Sequence, residues 1–485
     1  MLAILTLCSA ALYGLAFATP ALGILGWVAL VPFFAALGRA RPARAASLGL
    51  LMALAGALAV TWWFPPMVHA YFGVRPLVAW AMWLAFCTVT VAGPLVPFAV
   101  WTSWLAGRRA ASPLIVACGW MAYELLRART WVGNPWALLG YASMSSLPIV
   151  QIADVTGPYG PSLLMASVNA LLAAFVTAPL RGRRLMASAI VTLALLASTI
   201  LYGALRLGTF DGGASVRVAL VQPAVAAPAR RTAEGRARAL AWQLEATREA
   251  VARGARLVVW PENAIDFYLD EPSADRDALM TTLRSLDADV ILGGPSFALG
   301  ERAVRYRNSV YLVQQGVVAG RYDKIHLLPF AEADYAPGEH AYALRSRAGL
   351  AAAFVCFEAM YPELVRRLAF GGVSLLVNVS NDAWFASGPA ARMHLDMARL
   401  RAVEERRWLV RATTTGISAI VDPYGRIVME SALDVPAVVE GDVRPLGGVT
   451  WYQRKGDIAA WCVVAIVLGA TMLAYLRQPL HAGGS

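Results

Sequence analysis

The chain has 485 residues, 58% of them hydrophobic and 15% charged, with a mean hydropathy of +0.55. That is too apolar for an ordinary soluble protein. The formal charge of +11 could suggest a nucleic-acid partner. Much of it, however, is arginine flanking apolar runs, where it sets topology and attracts anionic lipid heads, and no zinc knuckle, P-loop or RNA-binding signature accompanies it.

The apolar excess lies before Arg206 and again from Ile458 to Leu476, with a mixed, charged block from Asp211 to Asp457 between. Measured against the roughly 20 residues that cross a bilayer core, the first part divides into seven expected spans. These are Leu2 to Phe17, Ala21 to Leu37, Ala46 to Phe64, Leu77 to Leu105, Pro113 to Leu126, Pro161 to Leu180 and Leu185 to Leu205; Ile458 to Leu476 is an eighth. The first lacks the basic n-region of a secretory signal and reads as retained. The fifth is short and carries Glu124. Trp62 to Val74, rich in aromatics and proline, is expected to anchor at the headgroup level. The stretch from Ala128 to Ser162 is too apolar for a solvated loop, and its Gly and Pro residues break any long helix. It is expected to lie along the membrane surface or re-enter it.

Alternate connections carry Arg39, Arg41, Arg44, Arg108, Arg109, Arg181, Arg183, Arg184 and, in the tail, Arg477, against Arg75, Arg127 and Arg129 on the opposite side. The richer set belongs in the cytoplasm, so the charged block is expected outside it. Cys8, Cys87, Cys118 and Cys462 fall in apolar runs; Cys356 is the one cysteine of the block and has no partner there for a disulfide.

Within the block the pattern alternates strand and helix. Strands are expected at Ser215 to Pro223, Ala255 to Glu262 and Val290 to Leu292, in a hairpin of Asn308 to Val313 with Gly316 to Lys324, and at Leu350 to Val355, Ser374 to Asn378, Arg407 to Arg411 and Ile417 to Asp422, the last two closing the block. Helices are expected at Thr232 to Arg253 with Thr232 as N-cap, Ala274 to Leu286, Pro362 to Ala369 and Pro389 to Glu405. The alternation implies an α/β sheet covered on both faces in a layered domain.

Three residues fall at expected strand ends: Glu262, Lys324 and Cys356. A thiol needs a base and a positive field to become a nucleophile, a carboxylate can take its proton, and an ammonium can hold the thiolate and the developing oxyanion. The Phe357 N–H, just after the cysteine, is the natural backbone donor. Taken singly, a buried cysteine is ordinary packing and a strand-end Glu or Lys an ordinary solvated group. Their order and context carry the argument. No metal-ligand set has convincing spacing; His326 and His394 lie in unrelated contexts, and His326 reads as a loop group.

The motifs WPEN, DKIHLLPFAE and VCFE, with VSNDAWF and RATTTGISAIVDPYGRI after them and GNPWALLGY and QIADVTGPYG before, resemble those of the apolipoprotein N-acyltransferases, membrane members of the nitrilase superfamily. The resemblance runs from about Gly133 to Asp457. It implies a polytopic α-helical membrane domain of about eight transmembrane helices plus an extracytoplasmic nitrilase-like αββα sandwich. The expected divisions are an N-terminal membrane domain at 1–210, a periplasmic catalytic domain at 211–457, and a C-terminal transmembrane helix with a short cytoplasmic tail at 458–485. By the same resemblance Glu262 is the general base, Lys324 the oxyanion and thiolate partner, and Cys356 the nucleophile, with Glu332, Glu358 and Phe357 in support. Phe357 stands where many members have tyrosine.

The implied reaction moves an acyl chain from a phospholipid, phosphatidylethanolamine in expectation, through a Cys356 thioester to the α-amine of the S-diacylglyceryl-cysteine of an apolipoprotein. A monomer in the bacterial inner membrane, with no cofactor, metal or nucleic acid, is expected. Departures at Phe357, Ala386, WPEN and residues 224–231 leave open a divergent paralogue acylating another amine. A membrane-bound amidase, in which water resolves the thioester, and a noncatalytic scaffold are the other readings.

Overall fold

In a computed structural model the chain forms two compact units, Met1–Gly208 with Lys455–Ser485, and Thr209–Arg454. The residues described are 1–130, 133–177, 182–208, 213–225, 232–299, 304–328, 332–385 and 388–477. Ala386, Arg181, residues 226–231 of the divergent stretch and residues 329–331 of the PFAE motif lie outside them.

Among the described residues of the first unit, six helices are long and apolar enough to cross a membrane: Pro20–Leu37, Pro42–Thr61, Pro76–Gly107, Tyr159–Thr177, Arg183–Leu207 and Ile458–Leu476. They coincide with six of the expected spans. The other two form shorter helices, Leu2–Ala16 of 15 residues and Pro113–Arg129 of 17. At 1.5 Å per residue these reach about 22 and 26 Å, short of a ~30 Å hydrocarbon core. Leu2–Ala16 packs closely on Pro42–Thr61 where Gly14 meets Ala59: a Cβ on Gly14 would come within 2.4 Å of the alanine methyl.

Pro113–Arg129 carries two buried charges. Arg127, expected on an outer connection, instead sits inside this helix and donates to the carbonyls of Trp136 (3.1 Å) and Ala137 (3.4 Å). Glu124 accepts from the Leu139 N–H at 2.7 Å and from Trp120 Nε1 at 3.1 Å. The segment so bound is irregular and buried, including the 3₁₀ helix Leu139–Ser145. An irregular backbone survives in an apolar setting only when its polar groups are satisfied internally, and Glu124 and Arg127 do this here.

The described residues of the second unit form twelve strands: β1 (Val216–Gln222), β2 (Leu257–Val259), β3 (Asp289–Leu299), β4 (Val304–Gln314), β5 (Val317–Asp323), β6 (Ala343–Ser346), β7 (Gly349–Val355), β8 (Leu375–Ser380), β9 (Trp408–Thr413), β10 (Ala419–Val421), β11 (Ile427–Glu430) and β12 (Ala437–Val443). They make two six-stranded sheets, ordered β12-β1-β2-β3-β4-β5 and β11-β10-β9-β8-β7-β6. Each has a parallel centre, β1-β2-β3 and β7-β8-β9, with antiparallel pairs at its edges.

Strand alternation explains the layers. Ala219, Val221, Val258 and Trp260 point to one side of the first sheet, where they pack with Ala246, Ala250, Leu279, Met280 and Leu283 of the helices Ala233–Ala252 and Ala274–Arg284. Their neighbours Val218, Leu220, Leu257 and Val259 are equally buried and face the second sheet, where β1 and β2 meet β9. Helices Pro362–Ala369 and Gly388–Glu405 cover the second sheet at β7 and β9. The result is an α–β–β–α sandwich in which each fully buried Val or Leu contributes about 1.5–3 kcal/mol.

Thr232 caps its helix as expected, accepting from the Gly235 N–H at 3.0 Å. The block does not close at Asp422, because β11 and β12 follow and β12 pairs with β1. These strands and β6 escape sequence reading because they lie at or near sheet edges, only partly buried and carrying charges. β3 and β4 run well past their expected cores, since their outer halves leave the hydrophobic interior.

Candidate active site

Glu262, Lys324 and Cys356 all lie just beyond the C-terminal ends of strands: β2, β5 and β7. Each is almost fully buried. Pro261 and Glu262 continue the line of β2 beside β3, with the Gly293 N–H donating to the Pro261 carbonyl at 3.1 Å. Gly293 must be glycine, because a Cβ there would stand 2.7 Å from Glu262 Cα. Asn263 then turns the chain with φ +53°, a left-handed conformation that asparagine tolerates better than most residues.

Cys356 also has a left-handed backbone, φ +53°. For a non-glycine residue this costs about 1–3 kcal/mol and persists only where neighbours enforce it. It marks the turn from β7 into the 3₁₀ helix Cys356–Met360. Phe357 lies in the first turn of that helix, where an amide has no carbonyl partner within the helix.

Lys324 Nζ donates to Glu332 Oε1 at 2.9 Å and to Glu262 Oε1 at 3.3 Å. It also lies 5.0 Å from the centre of the Phe357 ring, so the aromatic face supports the ammonium. Asn308 Nδ2 bridges the same two carboxylates, 2.7 Å from Glu262 Oε1 and 2.8 Å from Glu332 Oε1. Glu262 Oε2 accepts the Asn381 N–H at 2.7 Å, and Glu332 Oε2 the Leu328 N–H at 2.7 Å. Three donors therefore hold Glu262, and a carboxylate has lone-pair capacity for about one more.

The electrostatics suit proton transfer. Burial alone would strip the charge from Lys324, but Glu262, Cys356 and Glu332 outweigh it and hold the ammonium well above its ordinary range. Burial, reinforced by Glu262, pushes the Cys356 thiol far up, with Lys324 pulling the other way. The resting thiol is thus protonated, and any reaction at the sulfur requires that proton to leave.

Glu358 does not face this cluster. It is fully buried and accepts from the Tyr322 hydroxyl (3.0 Å to each oxygen) and from the N–H groups of Ile325 (2.8 Å), His326 (2.9 Å) and Val355 (2.7 Å). It ties the Lys324 turn to the end of β7. Burial pushes its carboxyl up to about 7, against the pull of those N–H donors. His326 packs edge to face on Tyr361, ring centres 4.5 Å apart.

Behind Cys356 lies a second polar layer that sequence reading did not assign. Arg411 of β9 donates to Asn378 Oδ1 of β8, to Asp382 Oδ2 at 2.8 Å and to His394 Nδ1 at 3.0 Å, all fully or nearly fully buried. His394 Nε2 stands 3.1 Å from the Cys356 carbonyl oxygen. Burial opposes charge on Asp382, yet Arg411 and the Ser380 hydroxyl hold its carboxyl well below the usual carboxylate range. Gly416 is required beside it, since a Cβ would fall 2.2 Å from Asp382 Oδ2. The available signal was a polar residue inside each of two wholly buried strands, Asn378 in LLVNVS and Arg411 in WLVRAT.

Residues 217–445 match the carbon-nitrogen hydrolase family, and residues 9–171 match the apolipoprotein N-acyltransferase N-terminal domain. An apolipoprotein N-acyltransferase of Geobacter metallireducens is 34% identical, covering 98% of this chain and 95% of that protein. One of Pseudomonas putida is 29% identical, covering 85% of each. Among solved structures, Nit3 of Saccharomyces cerevisiae, of the nitrilase superfamily, aligns with 49% of this chain and 93% of its own at a TM-score of 0.40 and 21% identity.

The sandwich and its strand-end cluster define a carbon-nitrogen hydrolase unit carried by a membrane-spanning chain. Since the match extends over nearly the whole length of both proteins, the chain belongs to the apolipoprotein N-acyltransferase family.

Proposed function

We propose that this protein transfers an acyl chain from a phospholipid, phosphatidylethanolamine, through a thioester on Cys356 to the α-amine of the N-terminal S-diacylglyceryl-cysteine of apolipoproteins. The observation that carries this reading is the buried cluster of Cys356, Lys324 and Glu262 in a chain with apolar helices on both sides of the catalytic block. Glu262 is the base: it takes the thiol proton as Sγ attacks the ester carbonyl. Lys324 and the Phe357 N–H stabilise the tetrahedral oxyanion. Collapse breaks the ester C–O bond, and Glu262 returns the proton to the departing glycerol oxygen, leaving the lysophospholipid and the thioester. The acceptor amine then attacks the thioester carbonyl and gives its proton to Glu262. The C–S bond breaks, the thiol is reprotonated, and an amide remains.

Both substrates carry acyl chains and stay in the bilayer, so joining the catalytic block to membrane helices at both ends turns a slow encounter into an oriented one. The arginine distribution supports an orientation in the bacterial inner membrane with the catalytic block on the periplasmic side.

The test follows a labelled acyl chain from phosphatidylethanolamine. A hydroxylamine-sensitive adduct on the Cys356 peptide, absent in Cys356→Ala, followed by label in an amide on a diacylated lipopeptide, is the expected result. Label released as free fatty acid with no amide would mean a hydrolase, and no adduct in the wild-type protein would sink the thioester route.

A further inference from the structure

Among the described residues, the buried imidazole of His394, on the helix Gly388–Glu405, contacts the backbone of Cys356 itself. A carbonyl oxygen can only accept, so His394 Nε2 carries the hydrogen that it shares with the Cys356 oxygen at 3.1 Å. Burial and the neighbouring Arg411 both disfavour a second proton. Nδ1 is therefore bare, and it accepts from Arg411 Nη2 at 3.0 Å. Asp382 Oδ1, 3.2 Å from Nδ1, takes a hydrogen from the Ser380 hydroxyl at 2.6 Å instead. Phe385 packs edge to face on the ring, 5.3 Å between centres. Tautomer and orientation are both set.

Cys356 and Phe357 share one peptide unit. Because that unit is planar and trans, its C=O and N–H point in opposite directions. A donor that holds the oxygen on one side aims the hydrogen to the other. Asn378 Nδ2 helps from 3.5 Å, and Arg411 holds Asn378 as well as His394. The left-handed φ of Cys356 is the strained backbone that such anchoring would enforce.

We infer that His394 is a positioning residue for the oxyanion hole: by holding the Cys356 carbonyl, it aims the Phe357 N–H at the acyl oxygen as the tetrahedral intermediate forms. The inference rests on the acyl-enzyme reading of Cys356. It assigns His394 no proton transfer and no contact with substrate.

The test separates the oxyanion from the thiol. Single-turnover acylation of Cys356 by phosphatidylethanolamine builds an oxyanion; alkylation of the same sulfur by iodoacetamide, which only displaces iodide, builds none. In His394→Leu, acylation should slow ~10–100-fold, somewhat less than the outright loss of an oxyanion donor, while alkylation stays within about 2-fold of wild type. His394→Gln, whose amide can reach the same carbonyl, should recover acylation to within about 5-fold, whereas the shorter His394→Asn should not. If the leucine variant does not accumulate folded, the Gln and Asn pair carries the comparison.

Equal slowing of both reactions would assign His394 to the thiol or the scaffold and overturn the inference. So would unchanged acylation in the Asn variant, or a Gln variant no faster than it. Absence of any adduct in wild type would instead refute the acyl-enzyme reading itself.

Discussion

At the scale of single residues, the site depends on how few donors serve how many carboxylate oxygens. Asn308 Nδ2 holds Glu262 and Glu332 together around one ammonium. Asn308→Leu takes a donor from each carboxylate, and a hydrogen bond to a charged group is worth about 1.5–3 kcal/mol. Acylation of Cys356 should fall by about 10–100-fold with iodoacetamide alkylation also slowed, because Glu262 itself is displaced. This joint effect distinguishes Asn308 from His394. Glu405 presents a different problem. It is fully buried among arginines, neither carboxylate oxygen meets a side-chain or backbone donor among the described residues, and burial raises its carboxyl from 4.5 to about 7. A raised folded value means that its contribution to stability is fully present below about pH 4.5 and is lost as pH rises through about 7. Glu405→Gln should therefore match wild type in thermal unfolding at pH 4 and be more stable at pH 8, by on the order of 2–3 kcal/mol. Equal melting at pH 8 would refute this.

At the scale of elements, the groups proposed to react are placed by the ends of strands from both sheets and by close backbone approaches between neighbours. Gly293 in β3 lies against Glu262, with the Pro261 oxygen 2.6 Å from the position of an added Cβ. Gly293→Ala must push the Glu262 turn aside, at a cost typical of overpacking, about 1–3 kcal/mol. The expected reading is a lower rate of acylation together with a lower melting temperature, and an unaltered rate would show that the turn can shift freely. The central strands were legible in the sequence because they are short, mainly apolar runs, as β7 shows. β6, β11 and β12 were not, because partly buried strands at and near the sheet margins carry no such run. The pairing of β12 with β1 joins segments more than two hundred residues apart, and no local pattern encodes it.

At the scale of the whole molecule, the arginine asymmetry predicts sidedness. Ser285 is exposed in the catalytic block, and Gly107 is exposed at the end of Pro76–Gly107, beside Arg108 and Arg109. A cysteine introduced by Ser285→Cys should react with a membrane-impermeant maleimide in intact spheroplasts, and one introduced by Gly107→Cys only after lysis. The reverse pattern would invert the topology. Length qualifies the count of spans: among the described residues six helices are long and apolar enough to cross, whereas Leu2–Ala16 and Pro113–Arg129 are short, so labelling from opposite sides requires Pro113–Arg129 to cross as well, and labelling of both cysteines from one side would mean that it does not. The second of these holds Glu124 and Arg127, whose bonds satisfy the irregular segment from Trp136 to Leu139.

Composition and order along the chain suggested a division into apolar and charged parts, and motif order nominated Glu262, Lys324 and Cys356. Those are properties of short runs: an apolar stretch, a strand end, a charged residue behind it. The contacts are decided elsewhere, because Lys324 meets Glu262 across 62 positions, Asn308 meets Glu262 across 46, and His394 meets Cys356 across 38. A hydrogen bond requires two groups about 3 Å apart in a particular direction. Only the packing of two sheets and their covering helices brings these residues to that distance, and only there does an isolated histidine acquire a partner.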